Sequence, residues 1–131
     1  MPLSHIGIPV SEIGRSKAFY TAALAPLGMG VTMEFGSDKS QSGGTAVGFG
    51  GKGEQGLFWI GDNEKVGEGV HVAFEAASHE QVDAFHKAAL AAGGRDNGAP
   101  GPRPHYGPHY YAAFVLDPDG ANIEAVFDRP S

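Results

Sequence analysis

Hydrophobic and polar residues follow the same order in two stretches of the chain, one beginning at His5 and the other at His71. The first reads HIGIPVSEIGRSKAFYTAALAPLG and the second reads HVAFEAASHEQVDAFHKAALAAGG. The leading histidine, an AF pair and an AAL triplet all recur at the offset that relates position 5 to position 71. Self-similarity of this length is typical of two copies of one supersecondary unit. The chain is therefore predicted to contain a duplicated unit.

Each copy is predicted to begin with a short strand followed by a helix. Alternating apolar residues in LSHIGIPV and GVHVAFEA indicate the two strands. The first helix is predicted to begin after Ser11 and to end near Gly28. The second is predicted to begin with a capping box formed by Ser78 and Gln81 and to end at residues 93–94. The predicted buried faces carry Phe19, Leu24, Phe85 and Leu90.

Strand-like runs follow each predicted helix and complete a β-α-β-β-β pattern. They are GVTMEFG, TAVGFGG and GLFWIGD in the first copy. In the second copy they are a weak run in a proline-rich stretch, YYAAFVLD and ANIEAVF, the last two joined by the turn signal DPDG. This order predicts an α+β fold of two units, roughly residues 1–61 and 68–128 with a junction at 62–69. Neither copy has a self-sufficient core, so the two are expected to pack as a single domain over residues 1–131.

Composition excludes several classes of function. The 131 residues carry a formal net charge of −6, which argues against a nucleic-acid partner. The N-terminal MPLSHIGIPV does not have the pattern of a signal peptide, and no apolar run reaches the length of a membrane span. The absence of cysteine removes disulfides and thiolate ligands and fits a cytoplasmic protein. The expected partner is a small molecule.

The doubled βαβββ pattern, the histidine on each first strand and DPDGANIEAVF near the end carry a resemblance to a known family. The chain resembles the vicinal oxygen chelate superfamily, which includes glyoxalase I, extradiol dioxygenases, fosfomycin-resistance enzymes and bleomycin-binding proteins. The resemblance covers essentially the whole chain. It implies that the two units pair into a cup-shaped mixed sheet with helices outside.

The resemblance also implies a metal held by residues on the first and last strands of each unit. His5, His71 and Glu124 occupy three such positions, and the offset of the repeat places Phe58 at the fourth. Two imidazoles and one carboxylate are typical of an open divalent site for Fe, Mn, Ni or Zn. Glyoxalase I usually has a carboxylate ligand at the fourth position, so Phe58 argues against ordinary glyoxalase I activity and would instead line the substrate site.

Candidate substrate and proton-transfer residues come from the predicted last hairpin. If the DPDG turn pairs Leu116 with Ala121, then Ala113 lies opposite Glu124 and leaves space beside the metal. Alternation along the strand then places two candidate catalytic side chains, Tyr111 and His109, on the face of Glu124. The stiff loop PGPRPHYGPHYY supplies a candidate lid for an anionic or aromatic substrate, formed by Arg103, His105 and Tyr106. Trp59 alternates with Phe58 and is predicted to face the helices as part of the core.

Three functions fit these features. The first is a divalent-metal-dependent enzyme acting on a small oxygenated substrate, resembling an extradiol dioxygenase or a thiol transferase or lyase. The second is a metal-free drug- or metabolite-binding protein of the bleomycin-resistance type, and the third is a scaffold without metal that has a regulatory role. The resemblance implies a homodimer. The three metal ligands come either from one chain or from two, with His5 of one subunit joining His71 and Glu124 of the other.

Overall fold

The computed structural model describes residues 3–36, 44–53 and 56–130 and contains two βαβββ units. The first unit comprises β1 (Ile6–Pro9), α1 (Ile13–Leu24), a 3-10 turn (Ala25–Leu27), β2 (Gly30–Phe35), β3 (Ala46–Gly50) and β4 (Phe58–Gly61). The second comprises β5 (His71–Glu75), α2 (His79–Ala91), β6 (Arg95–Pro102), β7 (Tyr110–Leu116) and β8 (Asn122–Asp128). The strand orders are β1-β4-β3-β2 and β5-β8-β7-β6. The first strand of each unit runs parallel to the last, and the remaining pairs are antiparallel, which confirms the α+β prediction.

Each helix has a clear beginning. Ser78 accepts a hydrogen bond from the backbone N–H of Gln81 at the start of α2, as the capping-box pattern predicts. In α1 the capping residue is Glu12, whose carboxylate accepts from the N–H groups of Gly14 and Arg15. Gly28, with φ of +80°, ends the turn that follows α1. Neither helix in the described part of the chain is long and apolar enough to cross a bilayer.

The core lies on the helix side of both sheets and contains residues from both units. Phe19 of α1 and its counterpart Phe85 of α2 are both fully buried. The rings of Phe58 and Phe74, one from each unit, meet edge to face at a centroid distance of 5.1 Å. The repeat predicts that Leu90 is buried like Leu24, but Leu90 is 37% exposed, so that part of the prediction is wrong. Because the core lies on the helix side, the other, open face of each sheet points away from it.

The hairpin between β7 and β8 has a register that differs from the predicted one. Leu116 pairs with Asn122 rather than with Ala121, and Phe114 rather than Ala113 lies opposite Glu124. The cause is one additional residue in the connection, since Gly120 adopts a left-handed conformation at φ of +91°. A shift of one residue moves every side chain of the strand to the other face.

A second one-residue difference separates the two units. Phe58 pairs with Ile6, whereas the counterpart of Ile6, Val72, pairs with Ile123. In the last strands, position 58 therefore corresponds to position 123. The offset that relates the first strands would instead have matched it with position 124. The residue equivalent to Glu124 is Trp59, and the assignment of Phe58 to that position is wrong. Phe58 is fully buried in the core, and Trp59, predicted to be core, lies on the open face.

The DPDG turn of the second unit is bonded to the first helix and the residues before it. The hydroxyl of Tyr20, inside α1, donates to the Oδ2 of Asp117 at 2.5 Å in a buried contact. Asp119 accepts hydrogen bonds from the backbone N–H and the hydroxyl of Ser11 and lies 3.4 Å from Arg15 Nη2. The motif thus joins the two units, in addition to closing a hairpin.

Candidate metal centre on the second unit

The open face of the second sheet holds a buried carboxylate between two partners. Glu124, on β8, is only 2% exposed, and its Oε1 lies 2.8 Å from Nε2 of His71, the first residue of β5. Its other oxygen, Oε2, accepts a hydrogen bond from the hydroxyl of Tyr110 at the start of β7. Burial and the bond to Glu124 raise the pKa of Tyr110 well above its ordinary value. The three side chains come from three neighbouring strands of one sheet.

Two of the predicted metal ligands are therefore adjacent. Two ligand atoms that occupy neighbouring positions at about 2.1 Å from a divalent ion are about 3 Å apart, which the separation of His71 Nε2 and Glu124 Oε1 matches. The side chain of His71 is half exposed, so this pair is open to solvent on one side. The chemistry and spacing of the donors fit a divalent ion.

The third predicted ligand lies elsewhere. His5, immediately before β1, is exposed, and its Nδ1 lies 3.0 Å from the hydroxyl of Ser4. Within residues 3–36, 44–53 and 56–130, no three His, Cys, Asp or Glu side chains come together as a group that could hold a metal ion. Strand alternation places His5 on the open face of the first unit, as His71 is on the second. The described residues of a single chain thus bring together two of the three predicted ligands.

Aromatic residues line one side of the Glu124–His71 pair. Phe114, opposite Glu124 on β7, has its ring 6.2 Å from that of His71. The guanidinium carbon of Arg103 lies 5.5 Å from the centroid of Phe114. Arg103 also donates through Nη1 and Nη2 to two backbone carbonyls of its own segment, so its position is fixed. Beyond Tyr110, the aromatic side continues with Tyr106, 60% exposed, and then His105.

The shifted register separates the other predicted residues from this site. The hydroxyl of Tyr111 donates to Asp83 on α2, a contact that raises the pKa of Tyr111 to about 12. Its ring stacks on His79 at 3.9 Å, on the helix side of the sheet. Ala113 is fully buried in the core, and His109 is exposed in the turn before β7. The structure brings none of these three together with Glu124.

Tyr110 is the contact residue that the sequence pattern missed. It adjoins Tyr111, so the choice between the two tyrosines depends wholly on the hairpin register. The signal in the sequence is the glycine of DPDG, because a glycine at the last turn position is typical of hairpins with a left-handed residue. Counting that additional residue places Tyr110 on the face of Glu124.

The corresponding face of the first unit carries an aromatic pair. The rings of Trp59 and Phe35 are nearly parallel, with an interplanar angle of 5° and a centroid distance of 5.7 Å. The indole N–H donates to the carbonyl of Gly56, and a Cβ added to Gly48 would lie 2.9 Å from the indole. Glycine at position 48 is therefore what allows Trp59 to lie against β3. A cavity of about 220 Å³ opens beside Trp59, also lined by Gly7 and Pro9.

Comparisons with known proteins agree with this architecture. The model of the Glyoxalase/Bleomycin resistance protein/Dioxygenase superfamily matches residues 3–125. A glyoxalase/bleomycin resistance protein from Albidiferax ferrireducens T118 has a TM-score of 0.75 at 32% identity, covering 99% of this chain and 100% of that chain. A glyoxalase/bleomycin resistance protein/dioxygenase family enzyme from Burkholderia phytofirmans PsJN has a TM-score of 0.69 at 22% identity, covering 97% of this chain and 98% of that chain.

Glyoxalase I from Zea mays shares the fold with a TM-score of 0.71 at 22% identity, covering 98% of this chain and 45% of that longer chain. No protein with a curated description matches the sequence significantly. The family model spans nearly the whole chain. The alignment with the Albidiferax protein covers both chains almost from end to end. The chain belongs to the glyoxalase/bleomycin resistance protein/dioxygenase superfamily.

Proposed function

We propose that this protein is a divalent-metal-dependent enzyme that acts on a small oxygenated substrate. His71 and Glu124 of one chain would hold the metal together with His5 of a second copy in a symmetric homodimer. The observation that carries the proposal is the buried carboxylate of Glu124, 2.8 Å from a half-exposed imidazole. A buried carboxylate is costly unless it is paired, and a two-histidine, one-carboxylate set is typical of Fe, Mn, Ni or Zn sites with open positions.

A shared site is supported by the separation of His5 from the other two ligands. His5, just before β1, corresponds by the repeat to His71 at the start of β5, yet the described residues of one chain do not bring it to Glu124. β1 and β5 are each at an edge of their sheet. Exposed apolar side chains cluster near the first edge, namely Leu3, Ile6 and Leu57. Such edges and patches favour pairing with another chain, and a two-fold axis would form two equivalent sites.

The residues around the proposed metal position determine which substrate the site would bind. A bound divalent ion supplies Lewis acidity, which polarises two adjacent substrate oxygens and stabilises the charge that develops on them. Phe114 covers one side of the His71–Glu124 pair and limits access of water. Arg103 presents a positive charge at a fixed position above Phe114, and Tyr106 and His105 extend the aromatic wall. This combination suits a compact substrate that is anionic or aromatic.

The fourth position narrows the reaction class. Trp59, the structural counterpart of Glu124, cannot bind a metal or transfer a proton as a carboxylate does. Ordinary glyoxalase I activity is therefore disfavoured, as it is when Phe58 is assigned to this position. Two histidines and one glutamate favour chemistry like that of extradiol dioxygenases, or thiol transfer or lyase chemistry. The identity of the metal would help to divide these reactions, since ring-cleaving dioxygenation requires a redox-active metal such as iron and is not possible with zinc.

Metal content tests the proposal directly. The native protein and a Glu124→Ala variant are purified without tags and analysed by mass spectrometry for bound metals. We expect close to one metal per native chain and almost none in the variant, because removal of the carboxylate eliminates one of three ligands. An absence of metal in the native protein, even after reconstitution with each ion, would contradict the proposal.

A mixed dimer tests the sharing of ligands. Chains with His5→Ala and chains with His71→Ala are coexpressed with different tags, and the dimer containing one of each is isolated. If the site is shared, one of its two sites keeps all its ligands, so it should hold about half the metal of the native dimer. Each parent dimer should hold almost none. Metal-free mixed dimers, or a protein that stays monomeric at micromolar concentration, would refute a shared site.

A second function, metal-free binding of a flat small molecule, is favoured by the Trp59–Phe35 pair. Trp59, which stacks on Phe35, also lines a cavity on the open sheet face, where an aromatic ligand could pack against the indole. Trp59 is the only tryptophan in the chain, so its fluorescence reports on this face alone. Saturable quenching by a cationic aromatic compound, without any metal bound, would support the binding protein over the enzyme.

A further inference from the structure

The two oxygens of Glu124 have different partners, and this asymmetry carries an inference about Tyr110. Oε1 lies beside the imidazole of His71, and Oε2 accepts the hydroxyl of Tyr110. The tyrosine is the first residue of β7 and lies on the same face of the strand as Phe114. Its ring is also held at 5.2 Å from that of Tyr106. The hydroxyl is therefore directed at one oxygen by the strand and by a neighbouring ring.

Tyr111 shows that this contact depends on position and not on residue type. It is chemically identical and adjacent, but its hydroxyl donates to Asp83 on the other side of the sheet. Both tyrosines thus donate to a carboxylate, and only that of Tyr110 is on the open face. The pair offers a natural matched comparison.

We propose that Tyr110 is a positioning residue that makes Glu124 a one-oxygen metal ligand, an inference that rests on the proposed function. Its hydroxyl bonds to one lone pair of Oε2 and fixes the orientation of the carboxylate, which leaves Oε1 beside Nε2 of His71. A carboxylate that bound through both oxygens would occupy two coordination positions, whereas one oxygen occupies a single position. Tyr110 thereby keeps one more position open for a substrate that binds through two oxygens.

The partners of metal ligands commonly have this effect. They fix the orientation of the ligand, and their removal typically lowers metal affinity about 10- to 100-fold. The hydrogen bond to Oε2 would also keep the carboxylate in place if Oε1 and His71 Nε2 held a metal instead of facing each other. A residue that touches neither the metal nor the substrate can therefore set the number of open positions.

The test uses Co²⁺ as the probe with four full-length proteins: native, Tyr110→Phe, Tyr111→Phe and Glu124→Ala. Calorimetry gives the dissociation constant for Co²⁺, and visible absorption reports its coordination number. We expect Tyr110→Phe to bind Co²⁺ about 10- to 100-fold more weakly. Its absorption should also be weaker, because the freed second oxygen raises the coordination number. Tyr111→Phe should match the native protein in both respects.

The outcomes separate this inference from the proposed function. Native binding that is lost in Glu124→Ala but unchanged in affinity and spectrum in Tyr110→Phe would overturn the role of Tyr110 alone. Equal weakening in Tyr110→Phe and Tyr111→Phe, with equal falls in melting temperature, would indicate a structural effect and overturn it too. A native protein that does not bind Co²⁺ at all would overturn both the inference and the metal site.

Discussion

The two βαβββ units carry different side chains at the same cross-strand pair on their open faces. In the first unit Trp59 on β4 lies opposite Gly48 on β3. In the second, Glu124 on β8 lies opposite Phe114 on β7. Each pair has one aromatic side chain and one small or polar residue, but the aromatic residue is on the last strand in one unit and on its neighbour in the other.

This exchange explains why only the second unit can offer a carboxylate. A large ring on the last strand needs glycine beside it, since even a Cβ at position 48 would contact the indole. With the ring moved to Phe114, the last strand has room for a glutamate and the ring provides an apolar wall beside it. The units therefore differ at both of two facing positions, and not only in whether the last strand carries a carboxylate.

The helices of the two units differ in a related way. Tyr20 of α1 donates to Asp117 of the other unit, in the interior of the protein. Its counterpart in α2, by the offset of the repeat, is His86, which pairs with Asp96 on β6 of its own unit at the surface. Equivalent positions thus join the two units in one case and secure a helix to its own sheet in the other.

The largest effect is expected from a pair of substitutions that test which residue of β4 faces the core. Phe58→Glu should lower the free energy of unfolding by more than about 4 kcal/mol, because it removes a buried ring and buries a charge. Trp59→Glu should cost much less, since its carboxylate would lie on the open face next to solvent. Urea unfolding of both variants, monitored by circular dichroism, gives the two values.

The reverse order of stability would contradict the assigned register. If Phe58→Glu were tolerated and Trp59→Glu unfolded the protein, the offset seen at the first strands would hold through β4. Phe58→Leu is the control for Phe58→Glu, because it keeps the site apolar and should cost far less than the charge.

The duplicated architecture could be predicted from sequence because a repeat compares the chain with itself. The helix faces of Phe19 and Phe85, the Ser78 cap and the order of strands all follow from local spacing, and all are present in the structure. Leu90 does not follow the pattern because the buried stripe of α2 is narrower than that of α1. Ala89 beside it is fully buried, but α1 buries Tyr20 and Leu24 as well as Phe19 and Ala23. Burial at a helix end depends on neighbours that its own periodicity does not describe.

The site is less predictable because the strand registers differ from the expected ones by one residue at two places, and a fixed repeat offset does not account for either. One lies between β1 and β4 of the first unit, and because of it the fixed spacing points to Phe58 where the structure has Trp59. The other is in the DPDG turn, and because of it the predicted register points to Tyr111 where the structure has Tyr110 in contact with Glu124. Because side chains alternate with a period of two, each difference reverses which face a residue occupies. His71 and Glu124 are identified by residue type as well as by spacing, so the shifts do not affect their placement.

The second prediction concerns the contact between the units. Tyr20→Phe leaves the buried carboxylate of Asp117 without one of its donors, so it should cost about 1–3 kcal/mol. Burial, and then Asp117, raise the pKa of Tyr20 far above its ordinary value. Since the folded state resists loss of this proton, the native protein should lose stability as the pH rises above about 10. That alkaline loss should be smaller in Tyr20→Phe.

Tyr111→Phe is the matched control for this contact. It also removes a hydroxyl bonded to a carboxylate, but Asp83 is exposed and can be solvated by water. Thermal unfolding at neutral pH should place Tyr20→Phe several degrees below Tyr111→Phe. Equal melting temperatures would mean that the Tyr20–Asp117 bond contributes little to holding the units together.

The smallest expected effect is at His86 and Asp96, the surface counterpart of the Tyr20 contact. A hydrogen bond with His86, and then one from the backbone of Gly98, lower the pKa of Asp96 below its ordinary value. A carboxyl whose pKa is lower in the folded state stabilises the fold above its unfolded pKa of about 3.9, and this contribution is lost as the pH falls through the folded value. Asp96→Asn should therefore lower the melting temperature slightly at about pH 6 and not at all near pH 2.

The corresponding helix-to-sheet pair in the first unit gives the control for Asp96. Lys17 and Glu34 connect α1 to β2 at 2.8 Å, with both side chains well exposed, so Glu34→Gln should have a similarly small effect at neutral pH. Both variants should fall well short of the loss in Tyr20→Phe, because solvent replaces a surface partner and cannot reach the buried one. A loss for Asp96→Asn as large as that for Tyr20→Phe would show that the second helix depends on its own sheet as much as the first depends on the other unit.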